Sequence, residues 1–263
     1  MTATSPVPPY PAGRDLLAGR TVVVTAAAGT GIGYAVARRA AEEGATLLIS
    51  DFHERRLGEA ADRIAGETGT PRPATVVCDV TSEAAVTALR DAALARLGRV
   101  DVLVNNAGLG GDAAVVDMTD DQWSRVLDVT LTSLFRMTRA FLPAMYAARS
   151  GVMVNNASVL GWRAQKGQAH YAAAKAGVMA FTRCAALEAA EHGVRINAVA
   201  PSLAMHPFLA KVTSEEALAA LVEKEAFRRP AEVWEVANVM IFLASELSSY
   251  MTGEIVAVSS QRA

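Results

Sequence analysis

Short apolar runs and longer amphipathic stretches alternate along most of the 263 residues. The apolar runs are rich in β-branched residues and too short for helices, so they predict strands buried on both faces. These strands are predicted at residues 21–25, 46–50, 74–78, 100–104, 151–155, 194–199 and 254–258. The stretches between them have helical spacing and predict helices at residues 32–44, 54–67, 83–97, 120–148, 169–192 and 230–245.

The strict alternation of strands and helices predicts a parallel sheet, because each parallel crossover needs a helix to return the chain. A closed eightfold barrel would alternate in the same way. Two features favour an open sheet: a glycine-rich turn follows the first strand at residues 25–33, and Asp51 ends the second. We therefore expect an α/β fold with a single Rossmann-like, doubly wound parallel sheet of about seven strands and helices on both faces.

Composition excludes several classes of protein. Hydrophobic residues make up 52% of the chain and charged residues 20%, with a formal net charge of -2. Neither a disordered chain nor a generally basic nucleic-acid binder is therefore expected. No run of about 18 uninterrupted apolar residues predicts a membrane span. Cys78 and Cys184 are the only cysteines, and no zinc-site spacing of cysteine or histidine occurs, so we expect no metal.

The first residues predict an arm and not a targeting signal. Residues 1–13 contain four prolines and lack both the basic and the apolar segments of an export signal. We expect residues 1–16 to form a flexible, extended or disordered arm, and residues 17–263 to form a single domain. The low cysteine count agrees with a reducing, cytoplasmic location.

The glycine-rich turn has the composition of a phosphate-binding loop. Its small residues let the backbone approach a pyrophosphate, and the helix N-terminus that follows supplies amide donors, although such a turn can also be purely structural. Asp51 lies 18 residues beyond Gly33, where a carboxylate can accept both hydroxyls of an adenosine ribose and repel a 2′-phosphate. This favours NAD over NADP. Arg55 and Arg56 can weaken that preference, and a helix-capping role for Asp51 is the alternative.

A tyrosine, a lysine and a serine form the candidate catalytic group. Tyr171 and Lys175 are four residues apart on a predicted helix, so the phenol and the ammonium can share one pocket. A neighbouring cation favours the phenolate, and Ser158, which follows the fifth strand, can donate to a substrate oxygen as charge develops there. The spacing alone can arise by chance among five tyrosines and four lysines. Its position after the fifth strand of such a sheet gives it weight.

Residues 17–258 resemble the short-chain dehydrogenase/reductase family. The matching positions are the glycine turn, Asp51, Asp79-Val80, Asn105-Asn106-Ala107-Gly108, Ser158, Tyr171-x-x-x-Lys175 and Asn197-x-Val199-x-Pro201. The resemblance implies that Tyr171 is the general acid/base, that Ser158 polarises the carbonyl, and that Lys175 holds the nicotinamide ribose and lowers the tyrosine pKa. It further implies a homo-oligomer, usually a tetramer joined by helix bundles, and a dinucleotide in contact with Thr25, Gly29, Gly31, Ile32, Asp51, Asp79, Val80, Asn106, Ala107, Gly108, Tyr171, Lys175, Pro201 and Leu203.

The chain departs from the family pattern at three places. The glycine turn is one residue longer, with alanines at the early glycine positions, so Gly29 is expected to take the unusual backbone angles. Thr130 replaces the family's water-ordering asparagine, and its hydroxyl could still hold a water in the catalytic relay. Ser202 and His206 replace a glycine and a threonine after Pro201; His206 could bond the carboxamide, the substrate or neither.

The substrate walls are predicted at residues 160–168 and in a lid at about residues 203–227. The candidate substrate contacts are Ser158, Trp162, Gln168, His206 and Phe208. Apolar residues of the lid can instead pack against each other. Arg163, Lys166 and Lys211 could meet an acidic group such as a coenzyme A phosphate, or simply be solvated.

Three functions remain open from the sequence. Residues 157–165 and 200–208 resemble actinobacterial family members of steroid C/D-ring breakdown, which interconvert a 5-hydroxy and a 5-oxo group on a bicyclic hydrindane carboxyl-CoA. The first hypothesis is therefore an NAD-dependent oxidoreductase acting on a secondary alcohol or ketone of a bulky apolar substrate of this kind. The second is an NADP-dependent 3-ketoacyl-type reductase. The third is a catalytically weak dinucleotide-binding scaffold.

Overall fold

The computed structural model describes residues 4–206, 209 and 215–261. Its centre is a seven-stranded parallel sheet with the order β3-β2-β1-β4-β5-β6-β9. The strands are β1 Thr21–Thr25, β2 Thr46–Asp51, β3 Ala74–Val77, β4 Val102–Asn105, β5 Gly151–Asn156, β6 Val194–Pro201 and β9 Ile255–Val258. The predicted doubly wound sheet is confirmed, and the strand order reverses between β1 and β4. Two further strands, β7 Ala204–Met205 and β8 Ala231–Glu232, pair separately.

Helices cover both faces of the sheet. They are α1 Ile32–Glu42, α2 Glu54–Thr68, α3 Glu83–Leu97, α4 Asp120–Leu127, α5 Ser133–Ala148, α6 Ala169–Ala190, α7 Glu215–Val222 and α8 Val233–Ala244. Helices α1, α2 and α8 share one apolar core with the sheet, and α3, α5 and α6 share the other. Consecutive residues of a strand point to opposite faces of the sheet. Val22 and Val24 therefore lie in the first core and Val23 in the second. Among the described residues, no helix is both long and apolar enough to cross a bilayer.

The long helix predicted at residues 120–148 is interrupted. A π-helical turn, Asp128–Thr132, separates α4 from α5. The Ser133 hydroxyl donates to the carbonyl oxygen of Val129 at 2.6 Å, four residues earlier, within this wider turn. The π-turn places Thr130 in the interior with 2% of its surface exposed. Turns of this kind occur often at functional sites.

The proline-rich arm lies against helix α1. The Tyr10 hydroxyl donates to Glu42 at 2.5 Å, and Arg39 donates to the carbonyl oxygens of Pro11 and Ala12. The carboxylate of Glu43 accepts the backbone amides of Arg14 and Leu16. From Tyr10 onward the arm is therefore attached to the body of the protein by several hydrogen bonds.

Candidate active site

The carboxyl ends of the parallel strands meet at one edge of the sheet, where a large cleft opens. Its volume is about 1040 Å³, and residues that follow β1, β2, β3 and β4 line it. Six of them are Ala26, Asp51, Asp79, Val80, Ala107 and Gly108. A cleft at the point where the strand order reverses is where doubly wound sheets bind dinucleotides. Five of the predicted nucleotide contacts, Asp51, Asp79, Val80, Ala107 and Gly108, therefore line one cleft.

The turn after β1 is tied to the turn after β4. The Thr25 hydroxyl accepts the backbone amides of Asn106 at 3.0 Å and Ala107 at 3.3 Å, and the Asn106 amide group donates to the carbonyl oxygen of Ala26. A Cβ atom on Gly33 would lie 2.3 Å from that same oxygen, so only glycine fits this close approach of helix and turn. A Cβ on Gly31 would meet nothing within 4 Å. This side of the turn is open to a ligand.

The longer glycine turn has two residues with positive φ. Gly29 has a φ of 128°, as expected, and Ala26 also has a positive value, 52°. The left-handed conformation costs an alanine about 1 kcal/mol relative to the right-handed one. Arg63 of α2 donates to the carbonyl oxygen of Gly29 and lies with its guanidinium 3.9 Å from the ring centroid of Tyr34. Arg63 thus holds the turn at Gly29, through a contact between distant segments that no local pattern predicts.

Asp51 is buried at the end of β2 and accepts two backbone amides. Its Oδ2 accepts Ala28 N and its Oδ1 accepts His53 N, both at 3.1 Å. Burial raises the pKa of this carboxyl, while the Ala28 hydrogen bond and then the charge of Arg56 act in the opposite direction. Each carboxylate oxygen keeps a further lone pair, so the group can stabilise the turn and still accept a ligand hydroxyl. Arg55, in contrast, pairs with the Glu59 carboxylate of its own helix.

Tyr171, Lys175 and Ser158 converge at the same edge of the sheet. The Lys175 Nζ atom lies 5.5 Å from the Tyr171 ring centroid on α6, and a side-chain hydrogen bond joins Ser158 to Tyr171. Burial raises the pKa of the Tyr171 phenol, and the Ser158 hydrogen bond lowers it. Ser158 also caps the short 3₁₀ turn Val159–Gly161 by accepting Leu160 N at 3.2 Å. The turn after β5 therefore holds Ser158 next to the Tyr171 phenol.

Lys175 is the most deeply buried cation of the site, with 2% of its surface exposed. Its Nζ donates to the carbonyl oxygen of Asn156 at 2.5 Å, and a Cβ on Gly108 would lie only 3.3 Å from Nζ. Burial lowers the pKa of Lys175 to about 7. Asn156, which our sequence reasoning missed, also donates from its side chain to Asn106. The sequence does mark Asn156, because the two asparagines Asn155 and Asn156 end an otherwise apolar strand.

The Thr130 hydroxyl is used inside the protein. It donates to the carbonyl oxygen of Leu109 at 3.2 Å and accepts Leu109 N at 3.0 Å. A hydroxyl has a single hydrogen to donate. These two bonds hold the loop that follows Gly108, and the hydroxyl keeps one acceptor lone pair, so the role of Thr130 in ordering a catalytic water stays a prediction.

The predicted substrate contacts differ in their surroundings. Trp162 has 52% of its surface exposed beside the Ser158 turn, so it offers contact area to a ligand. Gln168 instead uses its amide to donate to the carbonyl oxygen of Gly111 at 2.5 Å, and thereby anchors the loop beside Tyr171. The Nδ1 of His206 accepts Leu209 N at 3.3 Å, and burial lowers the pKa of this histidine. Phe208 and Lys211 lie outside the described residues.

Two predicted nicotinamide-side contacts lie at the end of β6. Pro201 is the last residue of that strand and pairs with Val258. Leu203 is buried, and its carbonyl oxygen accepts Ala231 N at 2.8 Å. Within the described part of the chain, no three histidine, cysteine or acidic side chains are close enough to hold a metal ion.

Comparison with known proteins agrees with this geometry. A family model described as Enoyl-(Acyl carrier protein) reductase matches residues 26–260. The (5R,7aS)-5-hydroxy-7a-methyl-1-oxo-2,3,5,6,7,7a-hexahydro-1H-indene-carboxyl-CoA reductase of Mycobacterium tuberculosis is 64% identical over 251 residues, 95% of each chain. The 3-oxoacyl-[acyl-carrier-protein] reductase FabG of Thermotoga maritima is 36% identical, over 92% of this chain and 97% of its own. A short chain dehydrogenase structure from Mycobacterium smegmatis has 58% identity and a TM-score of 0.87, covering 98% of this chain and 99% of its own.

Proposed function

We propose that this member of the short-chain dehydrogenase/reductase family, an NAD(P)-dependent oxidoreductase, uses NAD as its cofactor. Its proposed reaction interconverts a secondary alcohol and a ketone on a bicyclic hydrindane carboxyl-CoA. The proposed reaction is supported mainly by one observation: Tyr171, Lys175 and Ser158 lie close together beside the cleft. The observation that carries the substrate class is 64% identity to a reductase named for such a thioester.

The residues of the cleft fit a dinucleotide. The open face of Gly31 and the N-terminus of α1 would receive the pyrophosphate, and Asp51 would accept the adenosine ribose hydroxyls. Asp79 and Val80 line the same cleft on the adenine side. Lys175 lies beside Tyr171 and close to Gly108, which is part of the cleft lining. Hydride transfer to or from the nicotinamide ring is the chemistry that the dinucleotide supplies when bound.

Tyr171 completes the reaction by moving a proton. In the oxidation direction the alcohol loses a hydride from carbon and a proton from oxygen, and the Tyr171 phenolate takes that proton. In the reduction direction the phenol returns it to the carbonyl oxygen. Ser158 donates to the same oxygen, where negative charge develops. A protonated Lys175 nearby stabilises the phenolate, which offsets the rise in the Tyr171 pKa caused by burial.

A substrate panel tests this assignment against two alternatives. The 5-oxo hydrindane carboxyl-CoA, a short 3-oxoacyl thioester and a simple cyclic ketone are each offered with NADH and with NADPH, and the absorbance of reduced nicotinamide is followed. We expect kcat/KM for the bicyclic thioester with NADH to exceed every other combination by more than about tenfold. A preference for the 3-oxoacyl thioester with NADPH would support the second function instead, in line with the FabG relative. Cofactor binding without turnover of any compound would support a scaffold.

The proposal of NAD over NADP rests on Asp51. Replacing Asp51 by Asn keeps a side-chain oxygen for Ala28 N but removes the charge that repels a 2′-phosphate. We expect the ratio of the NADP to the NAD dissociation constant to fall by about tenfold or more, because one repulsion ends and one ribose acceptor weakens. Fluorescence titration of both nucleotides measures the ratio. The matched control is Glu54→Gln, an exposed acid on α2, and an unchanged ratio in Asp51→Asn would refute the assignment.

We also propose a homo-oligomer. Phe135 of α5 has 41% of its surface exposed and packs edge-to-face against Phe181 of α6, with ring centroids 6.4 Å apart. Arg139 lies over the Phe135 ring. An exposed aromatic cluster on these two helices fits the helix-bundle contacts of family tetramers. Light scattering of the purified protein distinguishes a tetramer or dimer from a monomer.

A further inference from the structure

A buried carboxylate joins three separate parts of the chain beyond the sheet edge. Glu225 has 2% of its surface exposed, and three donors converge on it. Its Oε1 accepts Gln261 Nε2 at 3.0 Å and faces Leu203 N at 3.4 Å, and its Oε2 accepts the Ser260 hydroxyl at 2.7 Å. The described catalytic chemistry does not use this group. Because three donors satisfy the buried Glu225 carboxylate, these residues form a specific hydrogen-bond network.

The network continues to the turn that carries Ser158. The side-chain oxygen of Gln261 accepts Arg163 Nη1, and Arg163 directly follows the exposed Trp162. Backbone contacts join the same two segments, residues 225–226 and 260–261. Glu225 and Gln261 form an antiparallel bridge, and Ala226 N donates to the Ser260 carbonyl oxygen at 2.8 Å. We call Arg163, Leu203, Glu225, Ser260 and Gln261 the Glu225 clasp.

We propose that the Glu225 clasp fixes the two walls of the substrate cleft relative to each other. One wall is the turn at residues 159–163, and the other begins at Leu203. Side chains link both walls: Arg163 donates to Gln261, and Leu203 N lies against the Glu225 carboxylate. Glu225 and Gln261 are therefore positioning residues for the substrate and do not touch the reacting atoms. This inference rests on the proposed function for the identity of the substrate.

The geometry also says which substitutions the clasp tolerates. A glutamine at position 225 can accept Leu203 N and Gln261 Nε2 on its oxygen and donate to the Ser260 hydroxyl, which can turn to accept. A leucine there offers no acceptor, so the buried amide of Leu203 and the half-buried donors of Ser260 and Gln261 lose their partner. At position 261, leucine removes the link to Arg163 while the backbone bridge to Glu225 stays available.

The test compares the full-length variants Glu225→Leu, Glu225→Gln and Gln261→Leu with wild type. The control is Glu223→Gln. Glu223 precedes Glu225 by two residues in the sequence, and its exposed carboxylate pairs with Arg228. Three quantities are measured: kcat and KM for the 5-oxo hydrindane carboxyl-CoA, the NADH dissociation constant, and amide hydrogen exchange of peptides that contain residues 159–163 and 203–206.

We expect KM to rise about tenfold in Gln261→Leu and Glu225→Leu, with a smaller change in kcat, because misplaced walls weaken substrate positioning. Exchange should become about tenfold faster at both walls in Glu225→Leu and at residues 159–163 in Gln261→Leu, while Glu225→Gln and Glu223→Gln stay within about twofold of wild type. If Glu225→Leu does not fold, Gln261→Leu carries the same test. Unchanged KM and exchange in Gln261→Leu would overturn the proposal, as would Glu225→Gln behaving like Glu225→Leu. If wild type does not turn over the thioester, the proposed function fails, and hydrogen exchange still decides the clasp.

Discussion

Replacing Tyr171 by Phe is expected to lower kcat about a thousandfold, in the range of a lost general acid/base, while the NADH dissociation constant stays within about twofold. The substitution removes only the phenolic oxygen. The ring remains beside Lys175 and against the loop at Gly110. Ser158 keeps its hydrogen bond from the backbone amide of Leu160. Steady-state kinetics with saturating nucleotide and a separate fluorescence titration measure the two effects.

Tyr146→Phe is the matched control for this prediction. Tyr146 is on α5, where its ring stacks on His192 at 3.9 Å between centroids, away from the cleft. The same loss of one hydroxyl there should leave kcat within about twofold of wild type. If Tyr171→Phe kept most of its turnover, another group would be moving the proton, and the assigned mechanism would not hold.

Lys175→Met should produce an inactive but more stable protein. The substitution removes the cation that favours phenolate, so kcat is expected to fall about a hundredfold or more. It also removes a buried amine whose pKa is about 7 in the folded protein against 10.5 for an ordinary lysine. Between those values the unfolded chain binds more protons than the folded one. The wild-type free energy of unfolding therefore rises with pH in this window, and neutral pH carries a stability penalty that the variant lacks.

Denaturant unfolding of both proteins at pH 7 and pH 9 measures this penalty. The difference in the free energy of unfolding, wild type minus Lys175→Met, should become more favourable to wild type by about 2 kcal/mol over that interval. At pH 7 the variant should be the more stable protein, even though it loses the hydrogen bond to Asn156. A difference independent of pH would mean that Lys175 is charged to the same extent in the folded and unfolded states.

Strand positions are largely predictable from this sequence because a parallel strand buried on both faces is a continuous apolar run. The predicted first strand coincides with β1, and β5 and β6 differ from their predictions by one and two residues at the ends. The last residues of these strands are Asn156 and Pro201, which do not continue the apolar run. They belong to the strands because they pair with a neighbouring strand, and the local sequence pattern does not show such pairing. Likewise, the short pair of β7 and β8 has no apolar run to mark it.

The π-turn at Asp128–Thr132 was not predictable from periodicity, since helical spacing continues through it. Its inward residue, Thr130, is explained only by the Leu109 backbone, 21 residues away. Gln168 illustrates the same limit: its bond to the Gly111 carbonyl oxygen has no local sequence signal, and its contact with the substrate stays a prediction. Side-chain partners across loops depend on tertiary approach, so sequence identifies the residue types at the site better than it identifies their bonds.

Isotope transfer tests the central claim most directly. Wild-type protein is incubated with NADH carrying deuterium at the transferable C4 position and with the 5-oxo hydrindane carboxyl-CoA, and the product is examined by mass spectrometry. We predict one deuterium on the carbon that bears the new hydroxyl, and about a thousandfold less of this product from Tyr171→Phe in the same time at equal nucleotide occupancy. A hydroxylated product without deuterium at that carbon, or equal labelling by both proteins, would contradict direct hydride transfer coupled to a proton from Tyr171.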